Sequence, residues 1–149
     1  MQRILVVDDM ATNRELLQNI LEDDFAIETA ENGEDALIKL QEYGEEMAAV
    51  LLDLQMPRMD GFAVIAAMKR NGWLNKIPVL IISSEHAAEI ESGCLELGVS
   101  DFIHKPFDAS IVRNRLKNTL DLFAYKNRLE ETVEKQRKTL RHQDRIIQI

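Results

Sequence analysis

Val50-Leu51-Leu52-Asp53-Leu54-Gln55-Met56-Pro57 is apolar up to a single carboxylate and breaks at a proline soon after. The run from Met47 to Leu52 has the length and character of a buried strand. The Pro57, Asp60 and Gly61 cluster reads as the loop leaving it. Asp53 then stands at the C-terminal mouth of a central strand, where open α/β sheets bind their ligands. Alone, Asp53 would serve equally well as a strand-ending residue that caps the following turn.

Working outward, strand and helix signals alternate along the chain. Ile4 to Val7 is an apolar run ending in Asp8-Asp9. Thr12 to Glu15 has capping-box spacing and predicts a helix start, with Leu16, Leu17, Ile20 and Leu21 on its apolar face. Phe25 to Thr29 reads as a strand, and Asn32-Gly33 turns into a helix around Ala36, Leu37 and Leu40, stopped by Gly44. Asp60-Gly61 opens a helix with Val64, Ile65 and Met68 inward, ended by Asn71-Gly72. Pro78 to Ile82 is a strand ending in Ser83-Ser84, and Ala87 to Leu97 a helix ended by Gly98. Phe102-Ile103 is a short strand before His104-Lys105-Pro106-Phe107, and Asp108 caps a last helix with Ile111, Val112, Leu116 and Leu120 completing the domain. Five strands alternating with five helices, several strands apolar on both faces, predict a doubly wound α/β fold with a parallel five-stranded sheet.

Composition narrows the function classes. The 149 residues are 46% hydrophobic and 30% charged, enough for one core. A lone cysteine, Cys94, forbids an internal disulfide and suits a reducing, cytoplasmic setting. The start is too quickly acidic for a signal peptide, and no apolar segment approaches the roughly 20 residues that span a bilayer. Residues 1–112 carry 8 Lys/Arg against 21 Asp/Glu, whereas residues 113–149 carry 10 against 5. The acidic body suggests a cation site. The basic tail lacks the dense clustering of a nucleic-acid-binding helix.

In a parallel sheet the C-terminal strand ends share one edge. Asp8 and Asp9, Asp53, Ser83 and Lys105 therefore converge there. Three carboxylates repel one another unless a cation lies among them; an all-oxygen set favours a hard ion, and Mg²⁺ usually binds through a few carboxylates plus phosphate and water. A lysine and a hydroxyl beside them suit phosphoryl oxygens, which together is the equipment for phosphoryl transfer to an aspartate. His86, His104 and His142 have no ligand spacing and are assigned surface or packing roles. Cys94 is assigned to packing, and Trp73 to anchoring a helix end.

Val7-Asp8-Asp9, Asp53 with Met56-Pro57 and Met59-Asp60-Gly61, Ser83 and Lys105-Pro106-Phe107 form an ordered set over about residues 2–122. That set resembles the receiver domains of two-component response regulators. The resemblance implies a flavodoxin-like strand order 2-1-3-4-5. It implies that Asp53 accepts a phosphoryl group from a sensor histidine kinase or phosphotransfer protein. Asp8, Asp9, Asp53 and the backbone carbonyl of Gln55 would hold Mg²⁺, and Lys105, before a cis-Pro106, would pair with the phosphoryl group. Ser83 would be the switch hydroxyl, and Phe102 the aromatic residue that turns inward with it, biasing the surface of helix four, strand five and helix five. Ser83 stands where threonine is more frequent, Ser84 where alanine is common, and Phe102 lacks a phenolic hydroxyl. Gln55 occupies a position that tunes phosphoryl lifetime.

Residues 1–122 are read as this domain and 123–149 as a helical coiled-coil linker. From Phe107 onward there is no glycine or proline. Lys126, Val133, Leu140 and Ile147 at a, with Leu122, Leu129, Gln136 and Gln143 at d, form a heptad seam of mixed polarity. A helix of about 40 residues extends roughly 60 Å and is marginal alone, so a partner helix is expected; a parallel coiled-coil homodimer is the leading reading, with a solvated helical tether as the alternative. The chain reads as cut within that helix, with an output domain beyond. An aspartate-nucleophile phosphohydrolase would need an acid where Gln55 stands. A phosphate-independent scaffold or a single-domain relay are the other readings.

Overall fold

The computed structural model describes residues 1–147, with side chains described through Arg141. Five strands alternate with five helices. β1 (Arg3–Val7), β2 (Ala26–Ala30), β3 (Met47–Leu52), β4 (Val79–Ser83) and β5 (Asp101–His104) form one sheet of order β2-β1-β3-β4-β5. Every pairing is parallel. The doubly wound, flavodoxin-like order expected from the sequence is the order observed.

The pleat decides the layers, because successive side chains on a strand point to opposite faces. Leu5, Val7, Val50, Leu52, Val79 and Ile81 face one side. There they meet α2 (Gly33–Tyr43), α3 (Gly61–Arg70) and α4 (Ala88–Leu97) through Leu40, Ile65, Met68 and Cys94. Ile4, Val6, Ala49, Leu51, Leu80 and Ile82 face the other side. These are covered by α1 (Ala11–Leu21) through Leu17 and Leu21, and by α5 (Ala109–Ile147) through Val112 and Leu116. Each of these core side chains is essentially removed from water. Fully burying one aliphatic side chain is worth about 1.5–3 kcal/mol.

Three local expectations change. Helix α1 begins at Ala11, with Met10 in the N-cap position and no side-chain cap, so the capping box at Thr12 does not form. The Asn13 side chain instead reaches Asp8. Leu16 and Ile111 are exposed, and the inward positions of α1 and α5 belong to Leu17, Leu21, Val112 and Leu116. By contrast, Asn32 and Asp60 cap α2 and α3 by accepting from the Asp35 and Ala63 amides. Trp73 is partly buried against the core after α3, and Cys94 is buried, which raises its thiol pKa.

Helix α5 outruns the domain. Beyond Leu120 its apolar side chains stop packing on the sheet, and Leu122, Leu129, Val133 and Leu140 are 45–70% exposed. All four lie on the a/d seam. Gln143 and Ile147 of that seam, together with His142, lie outside the residues whose side chains are described, and the chain end at Gln148-Ile149 lies outside the described residues altogether.

Candidate active site

Parallel register brings the strand ends level. Val7 pairs with Leu52, Leu52 with Ile81 and Ser83 with His104. Beyond the ladder the Asp53 amide donates to the Val7 carbonyl (2.9 Å) and the Lys105 amide to the Ser83 carbonyl (2.8 Å). Asp8, Asp53, Ser83 and Lys105 are thus held by main-chain bonds to neighbouring strands.

The carboxylates converge as expected. One oxygen from each of Asp8, Asp9 and Asp53 lies within 4.8 Å of the others. Asp8 and Asp53 are buried and Asp9 is exposed, so the cluster opens to solvent on Asp9's side. Asp8 is firmly held: its Oδ1 accepts from the Met10 amide (3.0 Å) and its Oδ2 from Asn13 Nδ2 (3.3 Å). Arg14 donates to its backbone carbonyl (2.7 Å). Lys105 Nζ reaches across the cluster, 3.0 Å from Asp8 Oδ2 and 3.5 Å from Asp53 Oδ2. The Lys105–Pro106 peptide is cis.

Asp53 lies above the ordinary carboxylate pKa. Burial is the largest cause, and Asp8 and Asp9 add to it, while Lys105 and the Gln55 amide (3.3 Å) oppose it. Three carboxylates with one ammonium leave a net negative pocket of oxygen donors, the chemistry that suits a hard divalent cation. The three carboxylates of Asp8, Asp9 and Asp53 form an acidic donor set that fits Mg²⁺.

Ser83 is fully buried, and its Oγ accepts from the Glu85 amide (3.1 Å). Phe102 is also buried, with its ring on the α4 side of the sheet.

The β3–α3 loop is clamped by contacts that local sequence patterns did not reveal. The Gly33 amide donates to the Met59 carbonyl (3.1 Å), and Arg58, at φ +67°, pairs with Glu34 of α2 at 2.8 Å. A Cβ on Gly33 would stand 2.5 Å from the Met59 oxygen, and one on Gly61 2.5 Å from the Asp53 oxygen. Both glycines therefore permit close backbone approach around Asp53. Asn13 and Arg14, which hold Asp8, were also missed as site residues. An i+5 and i+6 relation to Asp8 has meaning only once the strand-to-helix turn is known.

Comparison with known proteins agrees with this geometry. The family model described as the response regulator receiver domain matches residues 4–117. The protein-glutamate methylesterase/protein-glutamine glutaminase of Bacillus subtilis (strain 168) is 36% identical over 138 residues, which is 89% of this chain and 35% of that protein. The protein of the same description from Treponema denticola is 38% identical over 109 residues, 70% of this chain and 28% of the relative. The chain therefore spans about a third of the length of these curated relatives. Among solved structures, a chain of the CheX-CheY-BeF3-Mg complex from Borrelia burgdorferi is 31% identical, with a TM-score of 0.73 over 78% of this chain and 87% of that one. NtrX from Brucella abortus is 28% identical, with a TM-score of 0.79 over 87% of this chain and 29% of that one.

Proposed function

This chain belongs to the response regulator receiver domain family, and from that premise we propose that it is a Mg²⁺-dependent phosphoacceptor whose acceptor is Asp53. The observation that carries the reading is the ion-paired cluster itself. Asp53 is buried at the mouth of β3, shares its pocket with Asp8 and Asp9, and faces Lys105. The chain accepts a phosphoryl group and is not itself an enzyme with turnover on an independent substrate.

A carboxylate oxygen of Asp53 attacks the phosphorus of a phosphohistidine on a sensor histidine kinase or phosphotransfer protein. The O–P bond forms as the P–N bond breaks, and the electron pair stays with the imidazole nitrogen. Asp8, Asp9, Asp53 and the Gln55 carbonyl would hold Mg²⁺, which would supply positive charge against the carboxylates and the phosphoryl oxygens. Lys105 moves its ammonium from the two aspartates toward the incoming phosphoryl oxygens. Ser83 donates its hydroxyl to one of them, and the buried Phe102 holds the space that the switching surface of α4, β5 and α5 requires.

Residues 1–122 form the receiver, and the continuation of α5, described to Ile147, is a coiled-coil linker through which two copies dimerise and signal to an output domain. The exposed Leu122, Leu129, Val133 and Leu140 on one seam support that role. The methylesterase relatives give one instance of an output type, and the setting is the cytoplasm. Among the described residues no helix is long and apolar enough to cross a membrane.

Intact mass after incubation with Mg²⁺ and acetyl phosphate tests the reading. One added phosphoryl group on the wild type and none on Asp53→Ala is the expected result. An unmodified wild type, with no stable beryllofluoride adduct either, would favour a scaffold that works without phosphate.

A further inference from the structure

The loop that follows the acceptor strand passes through a conformation that its residue does not favour. Arg58 has φ +67°, and among the described residues it is the one non-glycine residue in the left-handed region. A long L side chain is strained there, because its Cβ crowds the backbone. Glycine would relieve that strain, but it could not make the contact that the arginine makes. Arg58 Nη2 lies 2.8 Å from Glu34 Oε2, in the first turn of α2. A second link between the same two segments is main-chain, with the Gly33 amide donating to the Met59 carbonyl at 3.1 Å. Gly33 is the first residue of α2, so its amide has no acceptor within the helix and owes its bond to the loop.

This loop leads back to the acceptor. The Gln55 amide donates to Asp53 Oδ1 at 3.3 Å, and the Gly61 amide closes the loop on the Leu54 carbonyl at 3.1 Å. Asp8 is held by the Met10 amide, Asn13 and Lys105. Asp53 has the Gln55 amide and a longer contact to Lys105 at 3.5 Å. Of the two buried carboxylates, Asp53 is therefore the one whose orientation depends on the loop.

We infer that Arg58 and Glu34 form a latch by which α2 holds the β3–α3 loop and, through the Gln55 amide, sets the Asp53 carboxylate for a divalent cation. Both are positioning residues that act through the loop. A loop held in place loses less freedom when the cation binds, so the latched protein binds the ion more tightly. That consequence rests on the Mg²⁺-dependent phosphoacceptor reading; the latch itself does not.

Charge alone predicts a different pattern, and the sign separates the two. Removing Arg58 takes a positive charge from an acidic surface and would by Coulomb attraction strengthen the binding of a cation, whereas removing Glu34 would weaken it. The latch requires both changes to weaken it. The two side chains are 65% and 51% exposed, so solvent screens the pair and the effect is modest. A pair of this exposure corresponds to about a twofold to fivefold change in an equilibrium.

The experiment uses the full chain as wild type, Arg58→Ala, Glu34→Gln, the double variant and Arg58→Lys. Calorimetric titration gives the Mg²⁺ dissociation constant. Hydrogen exchange followed by NMR, with chelator present, gives the protection of the Gly33 amide. Arg58→Ala and Glu34→Gln should each raise the dissociation constant and speed Gly33 exchange by about twofold to fivefold. The double variant should lose no more than either single one, because one missing partner already opens the latch. Arg58→Lys keeps the charge and should stay within about twofold of wild type. All these differences should fade as salt rises. Tighter Mg²⁺ binding by Arg58→Ala would overturn the latch in favour of charge alone, and so would Gly33 exchange that neither single variant changes. A wild type that binds no Mg²⁺ would overturn the metal-dependent reading, while Gly33 exchange would still decide whether the latch exists.

Discussion

Replacing Lys105 with methionine removes the positive charge that lies among the carboxylates. Its ammonium stands 3.0 Å from Asp8 Oδ2 and 3.5 Å from Asp53 Oδ2, and its side chain is 18% exposed. The shorter contact is a hydrogen bond between charged groups, and such bonds contribute about 1.5–3 kcal/mol. The longer one is beyond hydrogen-bond range and adds a smaller Coulombic part. Metal-free Lys105→Met should therefore be destabilised by about 2–3 kcal/mol, because it leaves a buried carboxylate pair uncompensated. Mg²⁺ supplies the missing positive charge, so the loss shrinks when the metal is bound. Linkage then requires the variant to bind Mg²⁺ more tightly by that difference, roughly tenfold to a hundredfold. Urea denaturation with chelator and with saturating Mg²⁺ measures the first quantity, and calorimetric titration with Mg²⁺ the second. Equal or weaker Mg²⁺ affinity in the variant, or a stability loss that Mg²⁺ does not reduce, would refute the view that the lysine and the metal share Asp8.

Three further outcomes follow from particular contacts. Burial raises the pKa of Asp53 against the pull of Lys105, so its carboxyl favours the folded state while protonated and works against it once pH rises through the raised value. Metal-free Asp53→Asn should thus melt higher than wild type at neutral pH, with the gain vanishing below the ordinary carboxylate value of about 3.9; a gain that grows toward acid would have the wrong sign. Gly33→Ala should cost about 1–3 kcal/mol in urea denaturation, because its Cβ would meet the Met59 oxygen at 2.5 Å, whereas Gly93→Ala in α4, where a Cβ meets open space, should stabilise by about 0.5–1 kcal/mol. Leu129→Glu with Val133→Glu should convert a dimer into a monomer in sedimentation without lowering the domain's melting point, since both side chains point away from the core; a wild type that sediments as a monomer would remove the coiled-coil reading.

How much of this was legible in the sequence depends on the range of the interaction concerned. The strands and their two-sided burial follow from apolar runs such as Val50 to Leu52, because a parallel strand covered by helices on both faces has no polar face to show. The convergence of Asp8, Asp53, Ser83 and Lys105 follows too, since each ends a strand and parallel ends share an edge. The helix starts at Asn32-Gly33 and Asp60-Gly61 are local and were readable, and the structure shows Asn32 and Asp60 capping them. Thr12 was misread, because capping-box spacing fits a helix start only if the preceding turn leaves that residue outside the helix. Here the Asp8 side chain binds the Met10 amide and the helix begins at Ala11.

What the sequence determined by itself, then, is the order of elements, the apolar faces and the set of charged residues at strand ends, all carried by periodicity and composition within short windows. The tertiary structure decided which of those residues touch. Lys105 bridges Asp8 across 97 positions, Gly33 yields space to Met59, and His86 stacks on His104 beside Glu91. Such contacts depend on the rotation of a helix or the path of a loop after the sheet is assembled. Hydrogen bonds and ion pairs form or fail over a few tenths of an ångström, a distance that no pattern of residue types encodes.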